Sequence, residues 1–178
     1  MRVLIDACVL FPTIPRLLLL GCADEGLIVP IWSARILEEW RRAVIRVHPE
    51  QAAIVQGEIA MVQTAYPGAT VVTDQALEAG LSLPDDNDRH VLAAAIAGGA
   101  DALVTRNLRD FPGRTLAQFG IIPRAPDSVL LEFARSHPDV MRRLANKSLS
   151  GMVGAADITP RSAFKRAGLP RLAKAIFS

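Results

Sequence analysis

No lysine occurs before Lys147, and the whole chain holds three lysines against seventeen arginines. This absence excludes phosphoryl-transfer enzymes and receiver domains, which pair a strand-end acid with a positioned lysine for the phosphate. Aromatic residues make up only 5% of the chain, which argues against binding nucleic acid by extensive base stacking. The two cysteines, Cys8 and Cys22, fall in different expected elements without metal-ligand spacing, and read as reduced core thiols. With three histidines and no His, Lys or Cys cluster, soft metal ligation is excluded as well. No apolar run approaches the ~18 residues of a membrane span. The opening stretch "MRVLIDACVLFPTIPRLLLL" is apolar, but Asp6, Pro12 and Pro15 interrupt it and no small-residue cleavage site follows. It reads as mature structure of a cytoplasmic protein with no membrane partner.

What is present is a chain of 178 residues, half of them apolar, enough for one compact domain with a small appendage. The net charge of +2 conceals an asymmetry. Residues 1–105 carry seven basic against thirteen acidic residues, a net of −6, whereas residues 106–178 carry thirteen against five, a net of +8. An acidic half joined to a basic half fits a cation site beside a surface that binds a polyanion. An ordinary solvated helical tail would account for the basic half equally well.

Apolar runs at 2–6, 27–31, 70–73 and 101–105 read as buried strands, with a fifth at 116–122. Helices are expected over 13–25, from Ser33 to about Val47, from Pro49 to about Ala65, and over 86–98. Strands that are apolar throughout and alternate with helices predict a parallel sheet covered on both faces. Beyond Pro126 only helical segments remain, near 127–136, 138–149, 160–167 and 169–176, with a glycine-containing join "SLSGMVGAAD". The expected division is an α/β unit at 1–125 and a helical extension at 126–178.

The stretch "LPDDNDRHVLAAA" (83–95) crowds Asp85, Asp86 and Asp88 ahead of an apolar run. At 100° per residue, Val91, Leu92 and Ala95 form the buried stripe, and Asp88 lies on it. Asp85 and Asp86 fall outside and serve as caps, if the turn is regular that early. Asp88 could equally be a capping acid held by main-chain amides. In "SARILEEWRRAV" (33–44), Ile36, Leu37, Trp40, Ala43, Val44 and Val47 share one face; Glu38 lies opposite, and Glu39 lies at the margin. Glu39 could serve a site at the sheet edge or simply pair with Arg35 or Arg42. Asp6 ends the first strand, and ligands of open parallel sheets bind beyond the strands' carboxyl ends; an Asx turn is its plain alternative. The fourth strand runs into "VTRNLRDFP" (104–112), where Thr105, Asn107 and Asp110 supply oxygens at that same end.

Were Asp6, Glu39, Asp88 and Asn107 or Asp110 to converge, repulsion would demand relief. Two carboxylates ~4 Å apart repel by about 4 kcal/mol at an effective dielectric near 20. Three need a proton or a cation at neutral pH. Hard oxygen donors select Mg²⁺ or Mn²⁺. Such an ion activates water and shields phosphate charge during phosphodiester cleavage. His90, the alternative base, sits off the buried stripe.

The segments "VLIDACVL", "ILEEW" and "DDNDRHVLAAAIAGGADALVTRNLRDFP", in that order over roughly residues 1–122, resemble the PIN-domain family, in particular VapC-like toxins of toxin–antitoxin pairs. The resemblance implies a three-layer α/β/α fold, a divalent-metal-dependent endoribonuclease, an RNA substrate, a cognate antitoxin and a homodimer. By position, Asp6, Glu39 and Asp88 match the family's first three acids. Its fourth acid falls on Asn107, and Asp110 is placed to compensate, so the implied catalytic set is Asp6, Glu39, Asp88 and Asp110, with Asn107 added to the metal ligands. Cys8 stands where the family favours Asn or Ser to orient the first acid. Thr105, Arg106, Asn107 and Arg109 of the loop, with Arg142 and Arg143 of the basic tail, are the expected substrate contacts. A non-catalytic binding module on the same fold is the competing reading, on account of Asn107 and Cys8.

Overall fold

In the computed structural model, which describes residues 1–150 and 158–177, the apolar run β1 (Arg2–Ile5) leads through a one-turn helix α1 (Ala7–Leu10) into α2 (Thr13–Asp24). β2 (Val29–Ser33) and α3 (Ala34–Val47) follow, and the Ser33 hydroxyl accepts from the Ile36 amide at 3.2 Å to cap α3. A 3-10 turn at Pro49–Gln51 opens α4 (Ala52–Ala65), succeeded by β3 (Thr70–Val71) and α5 (Gln75–Gly80). A second 3-10 turn at Asp86–Asp88 runs into α6 (Arg89–Ala97). β4 (Ala102–Val104), α7 (Gly113–Leu116) and β5 (Ile122–Arg124) then precede four helices: α8 (Pro126–Ser136), α9 (Pro138–Ser150), α10 (Pro160–Arg166) and α11 (Pro170–Ile176).

All five strands pair in parallel, in the order β3-β2-β1-β4-β5, between helical layers. The order places a topological switch between β1 and β4: the chain moves outward to one side from β1 and to the other from β4. A crevice opens at such a point, beyond the carboxyl ends of the strands. Ile5 is in register with Val104, and the Asp6 amide continues the ladder to the Val104 carbonyl at 3.1 Å. The residues that follow these two strands are therefore neighbours. Val3, Leu4, Ile5, Ile31, Leu103 and Val104 are wholly buried, as strands covered on both faces must be.

The expected fifth strand at 116–122 is displaced. Leu116 closes α7, residues Ala117–Phe119 form a 3-10 turn, and Gly120 takes a left-handed φ of 71° that reverses the chain. Only then does β5 start, at Ile122. A glycine free to adopt positive φ outweighs the apolar run around it. The short helices α1 and α5 have no counterpart in the sequence pattern; at four and six residues they are too brief to show periodicity.

The C-terminal helices share the core of the sheet: Val129, Leu130, Met141, Phe164 and Leu172 belong to the same buried cluster as the strands. The Cys22 thiol lies 3.6 Å from the Met141 sulfur where α9 crosses α2. Asp127, 8% exposed, accepts from the Arg171 and Leu172 amides at 3.1 and 2.9 Å, tying the start of α11 to the start of α8. Within the expected join "SLSGMVGAAD", residues 151–157 lie outside the described residues.

Candidate active site

Asp6 is the N-cap of α1, yet its side chain makes no cap hydrogen bond. Its Oδ2 instead accepts from the Thr105 hydroxyl at 2.7 Å and from the Cys8 thiol at 3.0 Å. The Asx-turn alternative for Asp6 is thereby set aside. Thr105, fully buried, also accepts from the Asn107 amide at 3.0 Å, so one hydroxyl orients the acid after β1 and shapes the loop after β4. Cys8 is not a plain core thiol. Burial first, and the Asp6 charge second, push it up to about 12. It remains protonated and donates, doing for Asp6 what an Asn or Ser would do, and its sulfur accepts from the Arg106 amide at 3.3 Å.

Asp88 precedes α6 and likewise forgoes capping. The capping arrangement that competes for it at the sequence level is absent. Its side-chain donor is the Asn107 amide nitrogen, at 3.4 Å, and that same nitrogen lies 2.6 Å from Asp110 Oδ2. Asn107 thus bridges two acids. Carboxylate oxygens of Asp85, Asp88 and Asp110 all lie within 4.8 Å of one another. Asp88 is pushed up to about 6, by desolvation first and then by the charges of Asp6, Asp85 and Asp110, with His90 acting weakly the other way. A carboxyl poised there marks a site short of positive charge.

Asp85 is exposed, as helical phase expects of it, yet its carboxylate also reaches the acid cluster. It stands as the extended N-cap residue of the 3-10 turn at Asp86–Asp88 through which the chain enters α6. The Asp85 carboxylate still accepts from the Asn87 amide at 2.9 Å, so it caps the turn and borders the cluster together. Asp86 does face outward and pairs with Arg89.

Glu39 stands apart from the aspartates. Its Oε1 is 2.9 Å from His90 Nε2 and 3.5 Å from Arg35 Nε. His90, placed off the buried stripe by sequence, is only 3% exposed, because α6 is buried on nearly every side by its small alanines. Its Nδ1 is buried with no hydrogen-bond partner among the described residues. The signal for His90 was the burial of the whole helix, which an Ala-rich run permits and a single-stripe reading overlooks.

Among the expected substrate contacts, Arg106 and Arg109 are exposed in the loop after β4, beside the acids. Arg143 is elsewhere. It pairs with Glu25 at 2.5 Å, where α2 ends and the chain turns toward the start of β2, at the amino end of the strands rather than the carboxyl end. Arg142, one residue earlier, is 3.7 Å from Asp139 on the same helix.

The model of the PIN domain family matches residues 2–109, and the chain belongs to that family. Over 68 residues it is 38% identical to "Putative ribonuclease VapC50" of Mycobacterium tuberculosis (strain ATCC 25618 / H37Rv), a match covering 38% of this chain and 38% of that relative. No solved structure matches the chain. Among the described residues no helix is long and apolar enough to cross a membrane.

Proposed function

We propose that the protein is a divalent-metal-dependent endoribonuclease, the toxin of a toxin–antitoxin pair, acting in the cytoplasm on an RNA substrate. The single observation that carries this reading is the convergence of Asp85, Asp88 and Asp110 oxygens within 4.8 Å, with no lysine or arginine among the described residues bonded to Asp88 or Asp110. The donor set is hard oxygen throughout, which suits Mg²⁺ or Mn²⁺. Asp6, Asp88 and Asp110 are the residues that would hold the ion, with Asp85 added, and Asn107 and Glu39 flanking them. When bound, the ion supplies a lowered pKa to water and a positive counter-charge to the scissile phosphate.

The chain's own residues do the rest. Thr105 and Cys8 fix one oxygen of Asp6, leaving the other for the site. Asn107 holds Asp88 and Asp110 at a set separation. Asp88, with no arginine bonded to it among the described residues, would offer its carboxylate oxygens to the ion. His90 and Arg35 hold Glu39 at the margin, where it orients water. Arg106 and Arg109 meet phosphates on either side of the cleavage point. The nuclease unit is assigned to 1–125 and the helical extension to 126–178; a cognate antitoxin and a second copy of the chain are the expected protein partners.

A non-catalytic RNA- or protein-binding module is the second reading. Asn107 favours it, because its amide already satisfies two of the acids. Incubating the full chain with a panel of structured RNAs and Mn²⁺ separates the two. The nuclease cleaves at least one RNA, and EDTA, Asp6→Asn or Asp88→Asn abolishes cleavage. An intact panel alongside demonstrated Mn²⁺ binding identifies the module.

A further inference from the structure

The basic half of the chain raises a question that the acid cluster leaves unanswered: which of its arginines face the rim. Two contacts decide it. Gly168, in the turn between α10 and α11, has φ +81°, and a Cβ built there would lie 2.9 Å from the Arg106 guanidinium. The turn therefore lies directly against an arginine that follows β4, at the carboxyl end of the sheet. Second, β5 ends at Arg124, in register with Val104, and the Thr105 amide donates to the Arg124 carbonyl at 3.0 Å. Arg124 thus stands beside Thr105 on the same rim.

From Arg124 an open groove of about 440 Å³ runs between α8 and the start of α11, lined by Ser128, Glu132, Arg135 and Arg171 among others. Positions 128, 132 and 135 follow one face of α8, so the groove descends from the rim by roughly 10 Å at 1.5 Å per residue. No aromatic residue lines it. Among the described residues its one acid is Glu132, which pairs with Arg124 at 2.7 Å and is 62% exposed, so this ion pair is weak and exchangeable for a phosphate. Residues 158–177 beside it carry five basic residues and no acid.

We propose that Arg106, Arg124, Arg171 and Arg135 form a track for the backbone of the single-stranded RNA flanking the cleavage point, and that the α10–α11 hairpin completes the substrate surface rather than merely covering the core. This rests on the nuclease reading for the identity of the polyanion. The lack of aromatic residues favours phosphate contacts over base stacking, so the track is tolerant of sequence. An acidic polypeptide is the rival occupant. RNA is favoured because Arg106, exposed in the loop after β4 that also carries Asp110 of the acid cluster, lies against the α10–α11 turn and so joins the track to that cluster.

The test is fluorescence anisotropy of a labelled 20-nucleotide single-stranded RNA on the full chain in EDTA, across a salt series. The variant carries Arg124→Gln, Arg135→Gln and Arg171→Gln together; Arg135 and Arg171 are exposed and Arg124 is half-buried, and an unchanged melting curve checks folding. Affinity falls at least tenfold, and the log–log salt slope flattens by about 2, at roughly 0.7 for each phosphate that the variant leaves unneutralised. The matching triple Lys variant keeps the slope. If wild type binds the RNA and the Gln variant matches it in affinity and slope, the track is overturned while the nuclease reading stands. If the Gln variant instead loses binding to poly-glutamate and keeps RNA, the groove is a protein site and the proposal falls. Should wild type bind no RNA at all, the nuclease reading fails first and takes the track with it.

Discussion

Glu38 on the outer face of α3 and Asp88 ahead of α6 are both carboxylates in acid-rich stretches, and they meet opposite surroundings. Glu38 accepts from Arg41 at 2.7 and 2.8 Å and from Arg42 at 2.7 Å, and those bonds hold it down at about 2. Asp88 has no arginine bonded to it among the described residues, lies partly out of water among other aspartates, and is pushed up to about 6. The contrast teaches that acid density does not by itself locate a site. What distinguishes the rim is the withholding of cations from acids that the fold has brought together.

Breaking the contrast at the rim gives the largest effect. Asp88→Asn lowers RNA cleavage in Mn²⁺ by about 10²- to 10³-fold, the scale of losing one preorganised charged group, whereas Glu38→Gln changes it less than twofold. Equal effects from the two variants, read as single-turnover cleavage, would remove the distinction. Next comes thermal stability. Mn²⁺ at a hundredfold excess over its Kd stabilises a protein by about 2.7 kcal/mol, which for this size raises Tm by roughly 5–10 °C. Differential scanning fluorimetry is expected to show that rise in wild type and in Glu38→Gln, and little of it in Asp88→Asn.

The pH dependence sharpens the comparison in sign. Asp88 is raised in the folded protein, so its contribution to stability is present below its unfolded pKa and is lost as pH rises through about 6. In EDTA, Tm is expected to fall between pH 4.5 and 7 more steeply in wild type than in Asp88→Asn. Glu38 is depressed, so its contribution persists above the ordinary carboxylate range and is lost only as pH falls through about 2. Glu38→Gln leaves the slope between pH 4.5 and 7 unchanged. A smaller effect concerns the thiols. Cys8 and Cys22 are both held up at about 12, chiefly by burial, so alkylation at pH 8 is slow in the folded protein and fast after denaturation. Rapid labelling of Cys8 in the folded protein would contradict its role as a protonated donor to Asp6. Smallest of all is the tail. Arg142→Gln with Arg143→Gln lowers RNA affinity less than threefold, because Arg143 is engaged with Glu25 ahead of β2, at the amino end of the strands.

Much of this was legible in the residues. Apolar strands alternating with helices specify a doubly covered parallel sheet, and Asp6 at a strand end followed from the rule that ligands sit beyond those ends. Asp88 on the inner face followed from helical phase. Asp85 was read rightly as an exposed cap, but its closeness to Asp110 was not legible, because it joins two loops distant in sequence. His90 was misplaced because its helix is buried on several sides, which is a property of packing and not of periodicity. The Arg106–Gly168 contact joins positions more than sixty residues apart, and no local pattern announces it.

The most direct test is a carbon-13 NMR titration of the Asp88 carboxyl in the full chain, in EDTA and then with Mg²⁺. In EDTA the carboxyl should titrate near 6, and with saturating Mg²⁺ its midpoint should fall below about 4. A midpoint at the ordinary aspartate value in EDTA, unmoved by Mg²⁺, would mean that the rim carries no unrelieved charge and holds no ion.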